Sequence, residues 1–497
     1  MRRGGIARSA GLMAAVQLVS KCLDFGAILI LARLLTPEDF GLVALAAGVM
    51  VIVGSLTEVP VTEALIQRGA LSPGEVSAAF TLTLLRGLLI ALLLLGMAAP
   101  LAGLFDEPRL AAILNTLALA PLIQGCASPA MIHALRALNY AALARSHLYG
   151  KLAAFVAMLA VAAAGGGYWA LVAGLVTGPV IASLSTHVLA PWSLRLSLTG
   201  VRGIFRFAGW VTLSRMIFTL NQQIDRFVVG AILGRPQLGL YAMAGDLASL
   251  ATYTLAAPVS QPLFAGFAAL QAEPLRLRDT YLLGQQILLA VIAPAGFLFA
   301  ALAGDLVPLV LGAGWGAMVP IIWWLAPVIA LQVLTLPGQA LLMALGRTRV
   351  LAAREGLSLL LRLPVTLFAA LAFGLVEAAA ARALAALVMI AVMLSLAGGA
   401  IGISATQQIR HCARIFPALA LMVAGVALAG QALPVPEQAP GGVLRLGLLC
   451  AIGALIYAGS LLSLWRLAGR PEGAERWILA RLSAAHPPGA ADESGSR

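Results

Sequence analysis

Gln17, Lys21 and Asp24 fall at i, i+4 and i+7 inside an otherwise apolar run, a spacing that lines them up on one face of a helix. Arg215, Thr219 and Gln222 repeat that spacing 198 residues later. An amine, a guanidinium and side-chain amides make no covalent bond by themselves; they capture anions and hydrogen-bond polar groups. Arg86 and Arg226 enlarge the cationic set, and Asn221 and Gln222 add donors and acceptors. The guanidinium fork of arginine matches phosphate oxygens, and poor hydration strengthens that attraction. Asp24, Asp225 and Glu58 are the candidates for exchanging a coupling ion. A structural reading stands beside this one. Such charges also lock helices together, Lys21 and Asp24 can offset one another at i, i+3, and Arg362 can pair with Glu355.

Covalent chemistry finds little support in the remaining residues. The eight aspartates and twelve glutamates are dispersed, and no Asp-x-Asp pair could hold a metal and a sugar donor. The two lysines, Lys21 and Lys151, do not follow the glycine spacing of a phosphate-binding loop, so ATP is not the direct fuel. Cys22, Cys126, Cys412 and Cys450 stand singly, and the five histidines are scattered. No metal site, cofactor or enzymatic activity is expected, and the cysteines read as apolar packing.

The elements that carry these residues follow from composition. Of 497 residues, 61% are hydrophobic and 10% charged, against roughly a quarter charged in soluble domains. So few charges cannot cover a water-facing surface, and the solvent that suits the rest is a bilayer. The net charge of +12 comes from basic residues spaced singly between apolar runs, which excludes a nucleic-acid groove. Runs of about 20 apolar residues predict spans near 9–32, 41–66, 77–100, 110–133, 146–165, 168–190 and 207–232. Seven more follow near 239–266, 280–303, 317–344, 350–373, 376–403, 414–431 and 442–465. Lys21 and Asp24 interrupt the first run and no clean cleavage site follows, so it reads as span one and not as a signal peptide. With the N-terminus inside, 22 of the 32 basic residues, Lys151 among them, lie on the cytoplasmic side. Five (Arg33, Arg109, Arg235, Arg382 and Arg445) lie outside, and five lie within spans. That bias predicts cytoplasmic N- and C-termini.

The shift of 198 residues also brings Gly41, Leu42, Ala44 and Ala46 onto Gly239, Leu240, Ala242 and Ala244, and Pro60 onto Pro258. Chance matches among Gly, Ala and Leu are common here, but their clustering at one turn favours a duplication. The expected organisation is an N-terminal lobe over 1–190 and a cytoplasmic linker over 191–206. A C-terminal lobe over 207–403, spans thirteen and fourteen within 414–465 and a tail over 466–497 complete it. The tail holds one amphipathic piece around Trp477 and Ile478. In the turn Thr36-Pro-Glu-Asp-Phe-Gly41, Thr36 can cap, Pro37 can start a helix, and Glu38 and Asp39 suit its positive end, a structural role.

The stretch Leu31-Ala-Arg-Leu-Leu-Thr-Pro-Glu-Asp-Phe-Gly-Leu-Val-Ala-Leu-Ala46, followed by Glu63-Ala-Leu-Ile-Gln-Arg68, resembles the opening of the bacterial polysaccharide transporter family. These are the Wzx-type oligosaccharide flippases of the multidrug/oligosaccharidyl-lipid/polysaccharide exporter superfamily. The resemblance implies an all-α polytopic fold of about 14 transmembrane helices, with two six-helix lobes around a V-shaped cationic cavity. Spans thirteen and fourteen are implied to offer a groove for a lipid tail. The implied cargo is a polyprenyl-diphosphate-linked oligosaccharide, moved across the inner membrane by alternating access for O-antigen, capsule or exopolysaccharide assembly. Membrane lipid, a polysaccharide polymerase and chain-length machinery are the implied partners. On that reading Lys21 and Arg215 grip the diphosphate, Arg86 and Arg226 are second choices, and Gln17, Asn221 and Gln222 contact sugars. A cation-coupled multidrug antiporter, a lipid II flippase and a membrane scaffold of a polysaccharide synthesis complex are the competing readings.

Overall fold

Local chemistry sets the helix boundaries first. Thr36 Oγ1 accepts from the Asp39 N–H while the Asp39 carboxylate accepts from the Thr36 N–H, a reciprocal cap that starts the helix at Pro37. Ser72 with Glu75 and Ser404 with Gln407 repeat the device. The computed structural model describes residues 3–58, 61, 65, 72–137, 139–192, 195–197, 201–434, 439–470 and 473–476.

Among the described residues the chain is built of α-helices joined by short turns. In order they are α1 (Arg3–Leu34), α2 (Pro37–Leu56), α3 (Pro73–Leu104), α4 (Pro108–Leu117), α5 (Leu119–Gly125) and α6 (Met131–Arg136). Next come α7 (Ala141–Ala163), α8 (Trp169–Leu189), α9 (Val201–Leu233), α10 (Arg235–Ala269), α11 (Pro274–Val310) and α12 (Val319–Leu331). The last six are α13 (Thr335–Ala344), α14 (Thr348–Ala372), α15 (Leu375–Ile401), α16 (Ala405–His411), α17 (Ile415–Ala432) and α18 (Ala439–Leu467). Eleven described segments are long and apolar enough to cross a bilayer. The chain is a multi-pass membrane protein.

Eleven are found among the described residues against the fourteen expected from apolar runs, and the three runs not among them are placed as follows. The run at 110–133 is not one helix but α4 and α5 with turns after Leu117 and Gly125. The runs at 207–232 and 239–266 lie on α9 and α10, unbroken helices that contain Arg215, Asp225 and Arg226 in one and Arg235 and Asp246 in the other.

The chain divides into two compact units. The first comprises Met1–Met243, Val310–Trp315 and Thr366–Ala378. In it α7 and α8 pack so closely that a Cβ on Gly150 would sit 2.6 Å from the Gly178 carbonyl oxygen. Ser146 Oγ donates to the Ala182 carbonyl at 2.8 Å across the same contact. The starts of α2 and α10 cross through a reciprocal contact: a Cβ on Gly41 would strike the Arg235 carbonyl, and one on Gly239 would strike the Pro37 carbonyl. Both Gly41 and Gly239, and Pro37 and Arg235, are 198 residues apart, so the contact maps onto itself under the sequence repeat. A twofold relation between two copies of one motif produces that pattern. Of the other marker of the repeat, Pro60 lies outside the described residues and Pro258 is on α10, its side chain outside the described residues.

The second unit comprises Ala244–Leu309, Gly316–Val365 and Ala379–Arg497. An apolar core there joins α11, α15, α17 and α18 through Leu288, Leu289, Ile292, Leu394, Ile415, Leu419, Met422 and Tyr457. Residues 473–476 return onto that core. The Ala474 N–H donates to Gln286 Oε1 at 3.1 Å, and Glu475 pairs with Arg414 at 3.2 Å. The amphipathic piece around Trp477 and Ile478 lies outside the described residues.

Candidate functional site

The polar face of α1 exists as spaced. Gln17 and Lys21 are exposed and Asp24 is half-buried, while Val16, Ala27 and Leu31 turn inward. The internal pairing differs from expectation. Asp24 is held not by Lys21 but by Lys151 on α7, whose Nζ donates to Asp24 Oδ1 at 2.6 Å. A lysine three residues earlier on the same helix must bend back along the axis, whereas Lys151 reaches straight across. Lys151, counted above with the cytoplasmic basic residues, sits inside a membrane-crossing helix. It is the site residue that sequence reasoning missed, although its place within the 146–165 run was a usable signal.

Gly150 explains how Lys151 is aimed. Its missing side chain lets α7 sit against α8, so the adjacent Lys151 projects away from that contact, toward α1. Gly26 of α1 faces the Phe155 ring of α7 at the same junction.

Helix α9 carries the second polar set. Asn221 and Asp225 are 4% and 1% exposed, Arg226 is half-buried and Gln222 is exposed. Gln223 is half-buried, with an Oε1 that has no hydrogen-bond partner among the described residues. Gly48 of α2 makes room beside this helix: a Cβ there would lie 3.3 Å from the Phe227 ring. Arg215 is on α9, but its side chain lies outside the described residues, so its pairing with Lys21 remains an expectation.

Arg86, on α3, donates to the Gly54 carbonyl at 3.0 Å, near the C-terminal end of α2, and the nearby Glu58 carboxylate balances part of its charge. A cation at a helix C-terminus satisfies orphan carbonyls and the helix dipole. Arg86 thereby ties α3 to α2. Arg362 is 6% exposed on α14, and Glu355 is paired with the adjacent Arg354.

A second ionic cluster gathers where α2, α4 and α10 begin. Arg109 pairs with Glu38 at 2.8 Å and Glu107 at 2.9 Å, and Arg235 pairs with the same two carboxylates. Glu107 is 2% exposed between them, and the Arg109 guanidinium lies 5.9 Å from the Tyr168 ring centroid. Arg33 donates to the Val310 carbonyl at 3.1 Å, and Trp315 Nε1 donates to the Ala32 carbonyl at 2.8 Å. Three of the five arginines expected on the external side thus close around one junction. Thr36 caps α2 as anticipated, and Glu38 has this added task.

The second unit contains an apolar cavity of about 610 Å³ lined by α11, α12 and α17, with Phe297, Trp323, Phe416 and Val423 among its walls. The expected lipid groove was one that spans thirteen and fourteen, here α17 and α18, would offer. Helix α17 takes part here and α18 does not. All four cysteines are unbridged; Cys412 is buried and Cys126 and Cys450 are half-buried, but Cys22 is exposed, so the packing role expected of all four does not extend to it.

These features can be compared with known proteins. The family described as "Polysaccharide biosynthesis protein" matches residues 30–320, more than half of the chain. The lipopolysaccharide biosynthesis protein WzxC of Escherichia coli is 23% identical over 329 residues, 65% of this chain and 66% of that one. The succinoglycan biosynthesis transport protein ExoT of Rhizobium meliloti is 28% identical over 307 residues, 61% and 62% of the two chains. The chain thus matches just under two thirds of the length of these two relatives. Among solved structures, the lipid II flippase MurJ in an inward closed conformation superposes with a TM-score of 0.71 at 11% identity, covering 92% of this chain and 100% of that one. At that identity the likeness concerns the fold alone: helices of this length, order and connection form a MurJ-like architecture. With the family's profile running from the end of α1 to the start of α12, the chain belongs to the polysaccharide biosynthesis protein family.

Proposed function

We propose that the protein moves a polyprenyl-diphosphate-linked oligosaccharide across the bacterial inner membrane by alternating access, as a transporter and not an enzyme. The observation that carries this reading is family membership, joined to relatives named for polysaccharide biosynthesis and transport. Ionised groups within membrane-crossing helices support it. Each costs roughly 2.5–3.5 kcal/mol at the centre of a bilayer, a cost that persists only where the group faces a wet cavity or a partner. Lys21 and Arg215 receive the diphosphate, with Arg226 and Arg86 behind them, and Gln17, Asn221 and Gln222 offer hydrogen bonds to sugar hydroxyls. Asp24, Asp225 and Glu58 are the groups available for ion coupling. The lobes are 1–190 and 207–403, joined by the cytoplasmic linker 191–206. Helices within 414–465 stand outside both lobes, and both termini face the cytoplasm. The partners are the lipid-linked substrate, membrane lipid, a polysaccharide polymerase and chain-length machinery.

Substituting Lys21 and Arg215 together by Ala tests the assignment. The lipid-linked oligosaccharide should accumulate in the cytoplasmic leaflet and surface polysaccharide should fall. Unchanged surface polysaccharide would indicate a scaffold. Loss of fluorescent-cation efflux with polysaccharide intact would identify a multidrug antiporter.

A further inference from the structure

Asp24 lies near the middle of the membrane-crossing segment Ala15–Leu34, and Lys151 near the middle of Ala141–Ala163. Their ion pair therefore lies within the membrane-crossing part of both helices, where a charge is expensive. It is not sealed: the Lys151 side chain is 42% exposed and that of Asp24 33%. Hydrocarbon on those exposed atoms would leave charge without solvation, so the exposed side of the pair faces water. Nor does the junction of α1 and α7 need an ion pair. Gly26 against Phe155 and the core formed by Leu31, Leu35 and Ala170 with Met158 already bring the first unit's helices together by apolar contact.

One bond joins the two groups, from Lys151 Nζ to Asp24 Oδ1 at 2.6 Å. An ammonium has three donors and a carboxylate two acceptor oxygens, so both keep capacity toward the water side. Lys21, one turn from Asp24, is exposed near the same side of α1, and His147 lies one turn from Lys151 and interacts with its charge.

We propose that this pair is an exchangeable anion site, in which Asp24 occupies on Lys151 the place that a phosphate oxygen of a diphosphate headgroup takes when the substrate enters. The inference rests on the flippase reading and adds to it a cation on α7 and a built-in competitor. The Asp24 carboxylate keeps Lys151 paired while the site is empty and gives it up to a more highly charged anion. No covalent bond changes in the exchange.

The test uses the purified full-length protein and inorganic pyrophosphate as the probe, with binding measured by titration calorimetry and folding by thermal melting. Asp24→Asn removes the competitor and should tighten pyrophosphate binding by about three- to tenfold. Lys151→Gln should weaken binding by about tenfold or more, the worth of one charge-assisted hydrogen bond, and Lys151→Arg should retain it. A structural staple predicts the opposite pattern: both neutral variants melt earlier and leave pyrophosphate affinity unchanged. Asp24→Asn binding no more tightly than the parent overturns the proposal, whether or not the parent binds. Failure here with flipping still lost in the Lys21 and Arg215 variants removes the exchange site alone. The expected calorimetry with flipping intact in those variants removes instead the assignment of Lys21 and Arg215.

Discussion

Cys412 and His411 close the short helix α16, where Arg414, Glu475 and Gln408 crowd one end of the second unit's core. Burial, reinforced by the Glu475 carboxylate and opposed by Arg414, pushes the Cys412 thiol up to about 12. A group whose folded value lies above its unfolded one favours its protonated form in the folded protein. Its contribution to stability is therefore whole below the ordinary thiol range and is lost as the pH climbs toward 12. The thiolate is the reactive species, so Cys412 should resist maleimide at pH 7–8 in the folded protein and react once it is unfolded. Cys22, exposed on α1, should be modified first. Mass spectrometry of peptides after a timed pulse distinguishes the two, and rapid labelling of Cys412 in the folded state would contradict its burial. Next to it, burial and Arg414 depress the His411 imidazole, against smaller opposing effects of Glu475 and Asp279. The sign there is the reverse: stability is present above the ordinary histidine range and declines as acid charges the ring.

At the scale of elements, the crossing of α2 and α10 carries the sharpest steric demand. Gly41 faces the backbone of Arg235, and Gly239 faces that of Pro37. The obstructing atoms are main chain, which has no rotamer to yield, so a methyl group at either glycine must push the helices apart. Overpacking of this kind costs about 1–3 kcal/mol. Gly41→Ala and Gly239→Ala should each lower the melting temperature. Because both methyls act on one crossing, the double variant should lose less than the sum of the two, a coupling that a thermodynamic cycle measures. Full additivity would mean that the two glycines do not share a contact. The ionic cluster of Glu38, Glu107, Arg109 and Arg235 surrounds the same crossing and would be strained by the same displacement.

At the scale of the whole molecule, the fold was legible because a bilayer enforces it: backbone polar groups in hydrocarbon must pair within a helix, so long apolar runs read directly as spans. The repeat was legible too, since Gly41 and Gly239 are conspicuous small residues at one turn and prove to be in contact. What stayed hidden was lateral placement. Periodicity puts Asp24 on a face of α1 but does not say which helix lies opposite, so the partnership with Lys151 could not be foreseen. The break after Leu117 was hidden for a related reason, as hydropathy measures the run and not the continuity of its hydrogen bonds. Orientation depends on the same long-range logic, and the basic-residue bias yields a prediction independent of any site. In a cysteine-free background, Arg195→Cys in the segment between α8 and α9 should be labelled by a membrane-impermeant maleimide only after the cells are permeabilised. Asp106→Cys, in the exposed turn between α3 and α4, should be labelled in intact cells. An odd number of crossings lies between the two positions if α4 and α5 together span once, and the reagent would then see opposite sides. Labelling of both from one side would mean that the broken pair enters and leaves by the same face. That outcome would overturn the inward placement of 22 basic residues along with the count of spans, since every later segment would change sides.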